Sequence, residues 1–517
     1  MASIDMTSPL DRARSKAYLR LLPLLFFCYV IAYVDRVNVG FAKLNMQGDL
    51  AHLGFSESVF GFGMGIFFIG YLLLEIPGTL LVENWSARKW ISRIMISWGL
   101  IAALTAFVHY RIPWTTDMAE WIVRGTASML EPLAKADAGW ISRQAQGLVS
   151  DLRGPGAPYV FQFWGVRFLL GLAEAGFYPG VIVYLTHWFP RRDRSRALAW
   201  FFIGTPIAQI IGPPISSWLM GIGVGSNPRL LGLVGWQWVY IFWGIPAVIL
   251  GFVVLRMLTD WPREAAWLTE EEREALQAEL DREKEEHQAS AGHMSVMQAL
   301  GHPKVLALAA AYFFVVTGNY GVELYMASIL KDWYGLEVSK IAWLIIIPPI
   351  GSLIGQRFIG WSSDRTGERR WHASLPIVFG AITLAMAPDS QGSKWATIAL
   401  FTLAMTGLKA YLPAFWTLPN ELMSASAAAA SIGLINAFGN LGGWVGPTVV
   451  GVVRDRTGSY RIGLWYLAAS MVVSAMIIVM LGIGRKTQKA GGEDLAGGDE
   501  AKARVQHEPG SVAATES

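Results

Sequence analysis

Cysteine is almost missing from this chain. Of 517 residues only Cys28 is one, so neither an intrachain disulfide nor a cysteine-built metal site can form. Charge is scarce as well: Asp, Glu, Lys and Arg make up 16% of the sequence, against about 25% in ordinary soluble domains. The eight histidines show no metal-ligand spacing, and His52, His109, His187, His302 and His372 fall at the ends of apolar blocks, as solvated residues do. With no nucleophile–base set and no soluble domain, nothing points to an enzyme or to a cofactor. The net charge of +3 hides eleven acids between Asp260 and Glu286. Elsewhere Lys and Arg sit in short loops, which sets topology and makes no nucleic-acid surface.

Apolar residues are what is abundant. They make up 53% of the chain and fall into blocks near 19–41, 57–82, 90–109, 161–188, 197–220, 236–257, 304–329, 341–362, 373–389, 395–419, 427–453 and 461–484. They are of the length, about 20 residues, that carries a helix across ~30 Å of hydrocarbon, though the ninth is short unless it extends past Pro388. None alternates as a barrel strand would. The 54 glycines suit close helix packing and the 23 tryptophans suit the headgroup level. The expectation is an all-α membrane protein of twelve transmembrane helices, multi-pass in the inner cell membrane. The polar start Asp11-Arg-Ala-Arg-Ser-Lys leads into a full-length block without a small-residue cleavage site, so it reads as a cytosolic start and not a signal peptide. Arg12, Arg14, Lys16, Arg20, Arg88, Lys89, Arg93, Arg191, Arg192, Arg194, Arg196, Arg365, Arg369, Arg370, Arg485 and Lys486 share one side, which places both termini in the cytoplasm.

The chain repeats itself. Helix 8 ends in Gly360-Trp-Ser-Ser-Asp364-Arg365-Thr-Gly367-Glu-Arg369-Arg370, and helix 2 in a degraded counterpart with Glu83, Arg88 and Lys89. Helices 5 and 11 carry Gly212-Pro213-Pro214 and Gly446-Pro447. From acid to Gly-Pro the spacing is 129 residues in the first half and 82 in the second; the excess of 47 is an insertion between helices 3 and 4. Six-helix duplication marks secondary transporters, with substrate held between the halves. The expected organisation is a cytoplasmic N-terminus 1–18, a six-helix bundle 19–258 with an extracytoplasmic insertion 109–160, a linker 259–303, a second bundle 304–484 and a disordered tail 485–517. Apolar faces at Met118, Trp121, Ile122, Gly125, Met129 and Leu133 and at Ile141, Ala145, Leu148, Val149 and Leu152 read as two amphipathic helices on the outer membrane surface, with an ordered loop cap or a substrate lid as the alternatives. In the linker, Thr269-Glu-Glu-Glu272 fits a capping box, opening a helix to about His287 whose charge run reads as a solvated face.

Charges within hydrocarbon are costly and commonly functional. Helix 1 holds Tyr33-Val-Asp35-Arg36-Val-Asn38, and helix 4 holds Arg167 and Glu174, two turns and about 10 Å apart on one face. Two readings stand side by side: structural bridges between helices 1 and 4, or a guanidinium for an anionic substrate with carboxylates for a coupling ion. Asn436 and Asn440, spaced i,i+4, present their amides to one side, either to substrate or as helix–helix contacts. Tyr71, Gln209 and Trp416 are cavity candidates with plain packing as the alternative.

The Asp35-Arg36 pair, the Gly-Leu-Ala-Glu174-Ala-Gly-Phe-Tyr-Pro179 run, the Ser-Asp-Arg-Thr-Gly-Glu-Arg-Arg loop and Asn436-Ala-Phe-Gly-Asn440-Leu-Gly-Gly together resemble the major facilitator superfamily. Within it they resemble the anion:cation symporter branch, which includes bacterial tartrate, phthalate and sugar-acid permeases. The resemblance covers about residues 15–485 apart from the insertion. It implies that Arg36 binds the substrate carboxylate beside Tyr33, with Tyr71, Gln209, Tyr320, Trp416, Asn436 and Asn440 lining the cavity. It also implies that Asp35, Arg167 and Glu174 serve proton coupling, and that Glu83, Arg88, Asp364, Arg365 and Arg369 form an inner gate. Glu83 for Asp and Ser86 for Gly depart from the pattern and loosen the first-half latch. In helix 7, Tyr320-Gly-Val-Glu323-Leu-Tyr325 departs too, with Tyr325 for Trp and an extra acid. Glu323 reads as a third titrating site, a substrate determinant or a headgroup-level acid.

The function implied is proton-coupled import of a small organic acid anion such as tartrate, a sugar acid or an aromatic carboxylate, by a monomer in a lipid bilayer with no metal or cofactor. The residues alone do not separate H+ from Na+; the resemblance favours H+. The rivals are a drug/proton antiporter, which Arg36 opposes, and a membrane nutrient sensor.

Overall fold

The computed structural model describes residues 8–111, 113–135, 154–225, 227–290, 301–419 and 425–483. The first half comprises α1 (Pro9–Asp49), α2 (Glu57–Asn84), α3 (Ala87–Leu104), α4 (Pro113–Lys135), α5 (Ala157–Glu174), α6 (Phe177–Thr186), α7 (Arg191–Phe202), α8 (Gly204–Met220) and α9 (Gly235–Met257). A linker helix α10 (Glu270–Ser290) follows. The second half comprises α11 (Pro303–Tyr334), α12 (Val338–Leu344), α13 (Ile347–Thr366), α14 (Arg370–Met386), α15 (Lys394–Ala410), α16 (Leu412–Phe415), α17 (Ala425–Thr457) and α18 (Arg461–Leu481). Among the described residues, eleven stretches are long and apolar enough to cross a bilayer. The 33-residue α17, packed against α2 and α11, is the twelfth span. Four spans are made of two helices in line: α5–α6, α7–α8, α12–α13 and α15–α16.

The elements follow from local chemistry, with some departures from the pattern. The first span reaches well outside block 19–41, because Ser8 Oγ accepts the Asp11 amide at 3.1 Å and Pro9 occupies the first turn, both favourable at a helix start. Arg14 ties this extension to α7 through two bonds to the Asp193 carboxylate, Nη2 at 2.6 Å and Nε to the other oxygen. Block 161–188 is not one helix. It breaks at Ala175–Gly176, where Gly176 has φ +82°, a conformation that only glycine adopts without a Cβ penalty. The break leaves Glu174 in the last turn of α5, wholly buried. The ninth span ends as a 3-10 turn, Ala387–Ser390.

The capping box of the linker is formed: Thr269 Oγ1 accepts the Glu272 amide at 3.4 Å, and Glu272 Oε2 the Thr269 amide at 3.0 Å. A solvated charge run is not the whole account of α10, however. Glu272 is 2% exposed and accepts from Lys16 Nζ at 2.7 Å, with Arg12 Nε 3.5 Å away. Glu283 accepts the Arg191 amide at 3.0 Å. One face of α10 therefore docks on the starts of α1 and α7, where its acids meet basic side chains of both helices. In the insertion, α4 packs on α5; the second amphipathic segment, 141–152, lies outside the described residues.

The halves meet most closely at the end where α1 gives way to α2, the outer end by the distribution of Lys and Arg. A Cβ added to Gly65 would stand 2.6 Å from Trp444 O, so α2 and α17 touch backbone to backbone, as small residues allow in a membrane. Asp455 of α17 accepts the Glu57 amide at 3.1 Å and the Ser58 amide at 2.6 Å, capping α2 from the opposite half. Lys331 Nζ donates to Leu44 O, and Tyr325 Oη donates to Glu57 O at 3.0 Å while Lys43 pairs with the Glu57 carboxylate.

Candidate functional site

Below that seal the halves part around a cavity of about 440 Å³. Its lining includes Tyr33, Arg36, Tyr71, Gln209, Tyr320, Trp416, Asn436 and Asn440, so the structure brings all eight residues expected of a substrate cavity to one space. Arg36 comes from the middle of α1 and Tyr320 from the middle of α11. Gln356, Pro413 and Trp416, also in the lining, lie in the arginine-rich halves of their spans. The cavity thus extends towards the arginine-rich end while the outer end is closed.

Arg36 is the centre of its charge. Nε donates to Glu174 Oε1 at 3.1 Å and Nη2 donates to the same oxygen. Nη1 reaches Tyr320 Oη at 3.5 Å, and the guanidinium lies over the Phe67 and Tyr71 rings, 5.6 and 5.3 Å from their centroids. Glu174 itself is not in the lining, and its Oε2 has no hydrogen-bond partner among the described residues. The guanidinium is thus displayed to the cavity while its counter-ion is recessed behind it. A planar fork of this kind can exchange one carboxylate for another without leaving its place.

A second ionic cluster is built around Glu323. Its Oε1 accepts from Tyr33 Oη and Gln209 Nε2, both at 2.6 Å, and its Oε2 from Asn319 Nδ2 at 3.3 Å, with Lys409 Nζ 3.6 Å away. A headgroup-level position is thereby overturned: Glu323 is a buried acid beside the cavity, held from both halves. Asn436 and Asn440 also differ from plain cavity-liners, because both amides donate to Glu75, at 2.5 and 3.4 Å.

The other two residues expected in the coupling set also stand away from the lining. Asp35, 1% exposed, accepts from Trp98 Nε1 at 2.6 Å and Asn38 Nδ2 at 2.9 Å. Arg167, also 1% exposed, donates to Gly63 O at 3.3 Å and lies over the Phe67 ring. The reason is angular: Asp35, directly before Arg36 in the chain, points about 100° away from it on the helix and faces α3, and Arg167 turns into α2. Of the expected gate, Arg369 donates to Asp364 at 2.7 Å within its own half, Arg365 lies over Trp361, and the Arg88 amide donates to Asp260. The Glu83 side chain lies outside what is described. Among the described residues these groups make no bond between the halves.

Sequence reasoning passed over Glu75 and Lys409. Both had a signal: Glu75 stands one turn beyond Tyr71 on α2, and Lys409 is a lone cation inside the tenth apolar block, where a charge is a functional hypothesis by default.

Comparison with known proteins agrees with this architecture. The family model described as Major Facilitator Superfamily matches residues 25–447. A protein of Agrobacterium vitis named "Putative tartrate transporter" is 38% identical over 470 residues, covering 91% of each chain. The quinolone resistance transporter of Acinetobacter baumannii is 33% identical, covering 89% of this chain and 92% of its own. Among solved structures, the xylose transporter XylE from E. coli in its inward open conformation superposes with a TM-score of 0.63 at 14% identity, covering 91% of this chain and 97% of that one; at that identity the likeness concerns the fold. Twelve spans in two halves around one central cavity, with a family match over most of the length, lead to one conclusion: the chain belongs to the Major Facilitator Superfamily and is a multi-pass inner-membrane transporter, not an enzyme.

Proposed function

We propose that this transporter is a proton-coupled symporter importing a small organic acid anion of the tartrate, sugar-acid or aromatic-carboxylate class. The observation that carries the reading is Arg36, which faces the cavity while its counter-ion Glu174 is recessed. A substrate carboxylate that takes the guanidinium leaves Glu174 without its cation. A buried carboxylate in that position takes up a proton rather than remain charged. Anion and proton binding are then linked, each favouring the other by the same factor. Release on the inner side returns Arg36 to Glu174 and frees the proton. The name of the tartrate relative supports the anion class.

Glu174→Gln tests this. Glutamine imitates the protonated acid, so substrate counterflow in proteoliposomes persists while accumulation driven by an imposed pH gradient is lost. Normal pH-driven accumulation in the variant refutes the coupling role. Export of a drug against protons is a second reading, favoured by the name of the quinolone relative. It requires efflux of such a compound from the same vesicles, with no uptake of simple carboxylates.

A further inference from the structure

Among the described residues that line the cavity, two are cationic, Arg36 and Lys409, and none is acidic. They come from opposite halves, α1 and α15. Each has a recessed carboxylate behind it: Glu174 for Arg36, and Glu323 for Lys409. Tyr320, which meets Arg36, and Glu323, which meets Lys409, stand three residues apart on α11, so the two cations flank the same turn of one helix.

We infer that Lys409 is a second anion anchor, and that the substrate is a dicarboxylate held with one carboxylate on Arg36 and the other on Lys409. The inference rests on the proposed reading of Arg36 as a carboxylate ligand. A lysine inside a membrane helix needs a compensating partner, yet Glu323 lies 3.6 Å from Nζ, outside full hydrogen-bond distance. Glu323 in turn does not depend on Lys409. It already accepts from Tyr33, Gln209 and Asn319, so the ammonium can turn to a ligand without leaving a buried carboxylate bare. The two anchors are therefore unequal. Capture by Arg36 strips Glu174 of its cation and requires a proton there, whereas capture by Lys409 leaves Glu323 hydrogen-bonded by three donors. The second anchor accordingly sets affinity and selectivity, and the first sets coupling. Because the anchors belong to different halves, a dicarboxylate also ties the halves together at mid-membrane, which a monocarboxylate on Arg36 does not.

The test uses matched pairs that differ by one carboxylate against one hydroxymethyl group: L-tartrate with L-threonate, and D-glucarate with D-gluconate. Binding to the full-length purified carrier is measured by calorimetry or ligand-induced thermal stabilisation. For at least one pair, the dicarboxylate binds the wild type ten times or more tightly than its partner, and Lys409→Gln reduces that ratio to about two. Lys409→Arg, which restores a cation, keeps most of the ratio and shows that loss in the glutamine variant is not misfolding. Measurable carboxylate binding without discrimination in the wild type, or full discrimination in Lys409→Gln, overturns the second anchor and leaves the reading of Arg36 intact. If none of the four acids binds, this inference falls, and with it the tartrate and sugar-acid part of the proposed reading, while binding of an aromatic carboxylate would still test Arg36 separately.

Discussion

The outer seal includes a cap borrowed across the halves, and removing it should change which way the carrier faces. Asp455 accepts the Glu57 amide, the Ser58 amide and the Ser58 hydroxyl, at 3.1, 2.6 and 2.5 Å. Its carboxylate also sits at the N-terminus of α2, where the helix dipole favours negative charge. Loss of a side-chain cap costs about 0.5–2 kcal/mol, and the dipole contributes about 0.3–1 kcal/mol where it is solvent-screened. Asp455 is exposed, so water replaces part of what Asp455→Ala removes. Ser56 Oγ still receives the Val59 amide at 3.3 Å, which limits the damage to α2 itself. About 1–2 kcal/mol of seal remains, equal to a factor of about 5–30 in a two-state population. Because the bond exists only while the outer end is closed, the whole effect favours opening. Spin labels at A51C and K340C, one on each half at exposed positions of the outer end, report the change by electron–electron distance. The single native cysteine, Cys28, is fully buried and does not interfere with labelling. Asp455→Ala should raise the long-distance population at least fivefold, and Asp455→Asn less, since an acceptor remains. An unaltered distance distribution in Asp455→Ala refutes the reasoning and makes the cap incidental.

Arg36→Lys should lose substrate binding nearly as fully as Arg36→Ala, by about 2–5 kcal/mol, because an ammonium cannot keep both Glu174 and Tyr320 in a planar fork; wild-type affinity by calorimetry in the lysine variant excludes that role. Replacing residues 113–155 by a short Gly-Ser link should leave uptake within a fewfold of wild type, since the second half spaces its spans without such a segment; abolished uptake in a variant that reaches the membrane makes the insertion functional. The docking of α10 should depend on pH. Burial works to raise the Glu272 carboxyl, but the bonds from Lys16, the Thr269 amide and Arg12 outweigh it and hold the group below its usual value. A depressed carboxyl contributes stability that is present above its unfolded pKa, about 4.3, and is lost as pH falls through the lower folded value. Hydrogen exchange in α10 should therefore stay protected at neutral pH and rise only below that range, and Glu272→Gln should show weakened protection at pH 7; equal protection in the variant makes the Lys16 contact dispensable.

The sequence announced the spans because hydrocarbon thickness imposes a length that any apolar block displays, and it announced the cavity-liners because charges and amides in hydrocarbon stand out from their surroundings. It could not announce partners. Arg36 was open to a bridge with Glu174 or to substrate, and the choice depends on how α1 and α5 are rotated. The break at Gly176 also decides where Glu174 ends up. Asp35 sits beside Arg36 in the chain, yet its carboxylate meets Trp98 on α3, because adjacent residues on a helix diverge by about 100°. Glu75 and Lys409 have a plainer reason: neither belongs to one of the quoted motifs, and each is a single charge in the interior of an apolar block. Lys16 and Glu272 are 256 positions apart, so no local pattern could show that one face of α10 is docked.

A common logic joins the two ionic clusters of the cavity on the proposed reading. In the empty carrier, Arg36 is neutralised by Glu174, and Glu323 is held by three donors with Lys409 close by. The cavity then carries little uncompensated charge, and the halves can rock without dragging a bare ion through low dielectric, where isolated charge is costly. A bound anion without a proton leaves Glu174 charged beside it, so the carrier with anion alone holds one negative charge more, and pays a larger desolvation cost, than the same carrier protonated at Glu174. Coupling on this account needs no special proton path. It follows from which combinations of charge the closed cavity tolerates, and recessing the carboxylates behind the displayed cations is what makes those combinations few. Glu174→Gln removes the penalty on anion alone, which is why it should uncouple transport without preventing binding.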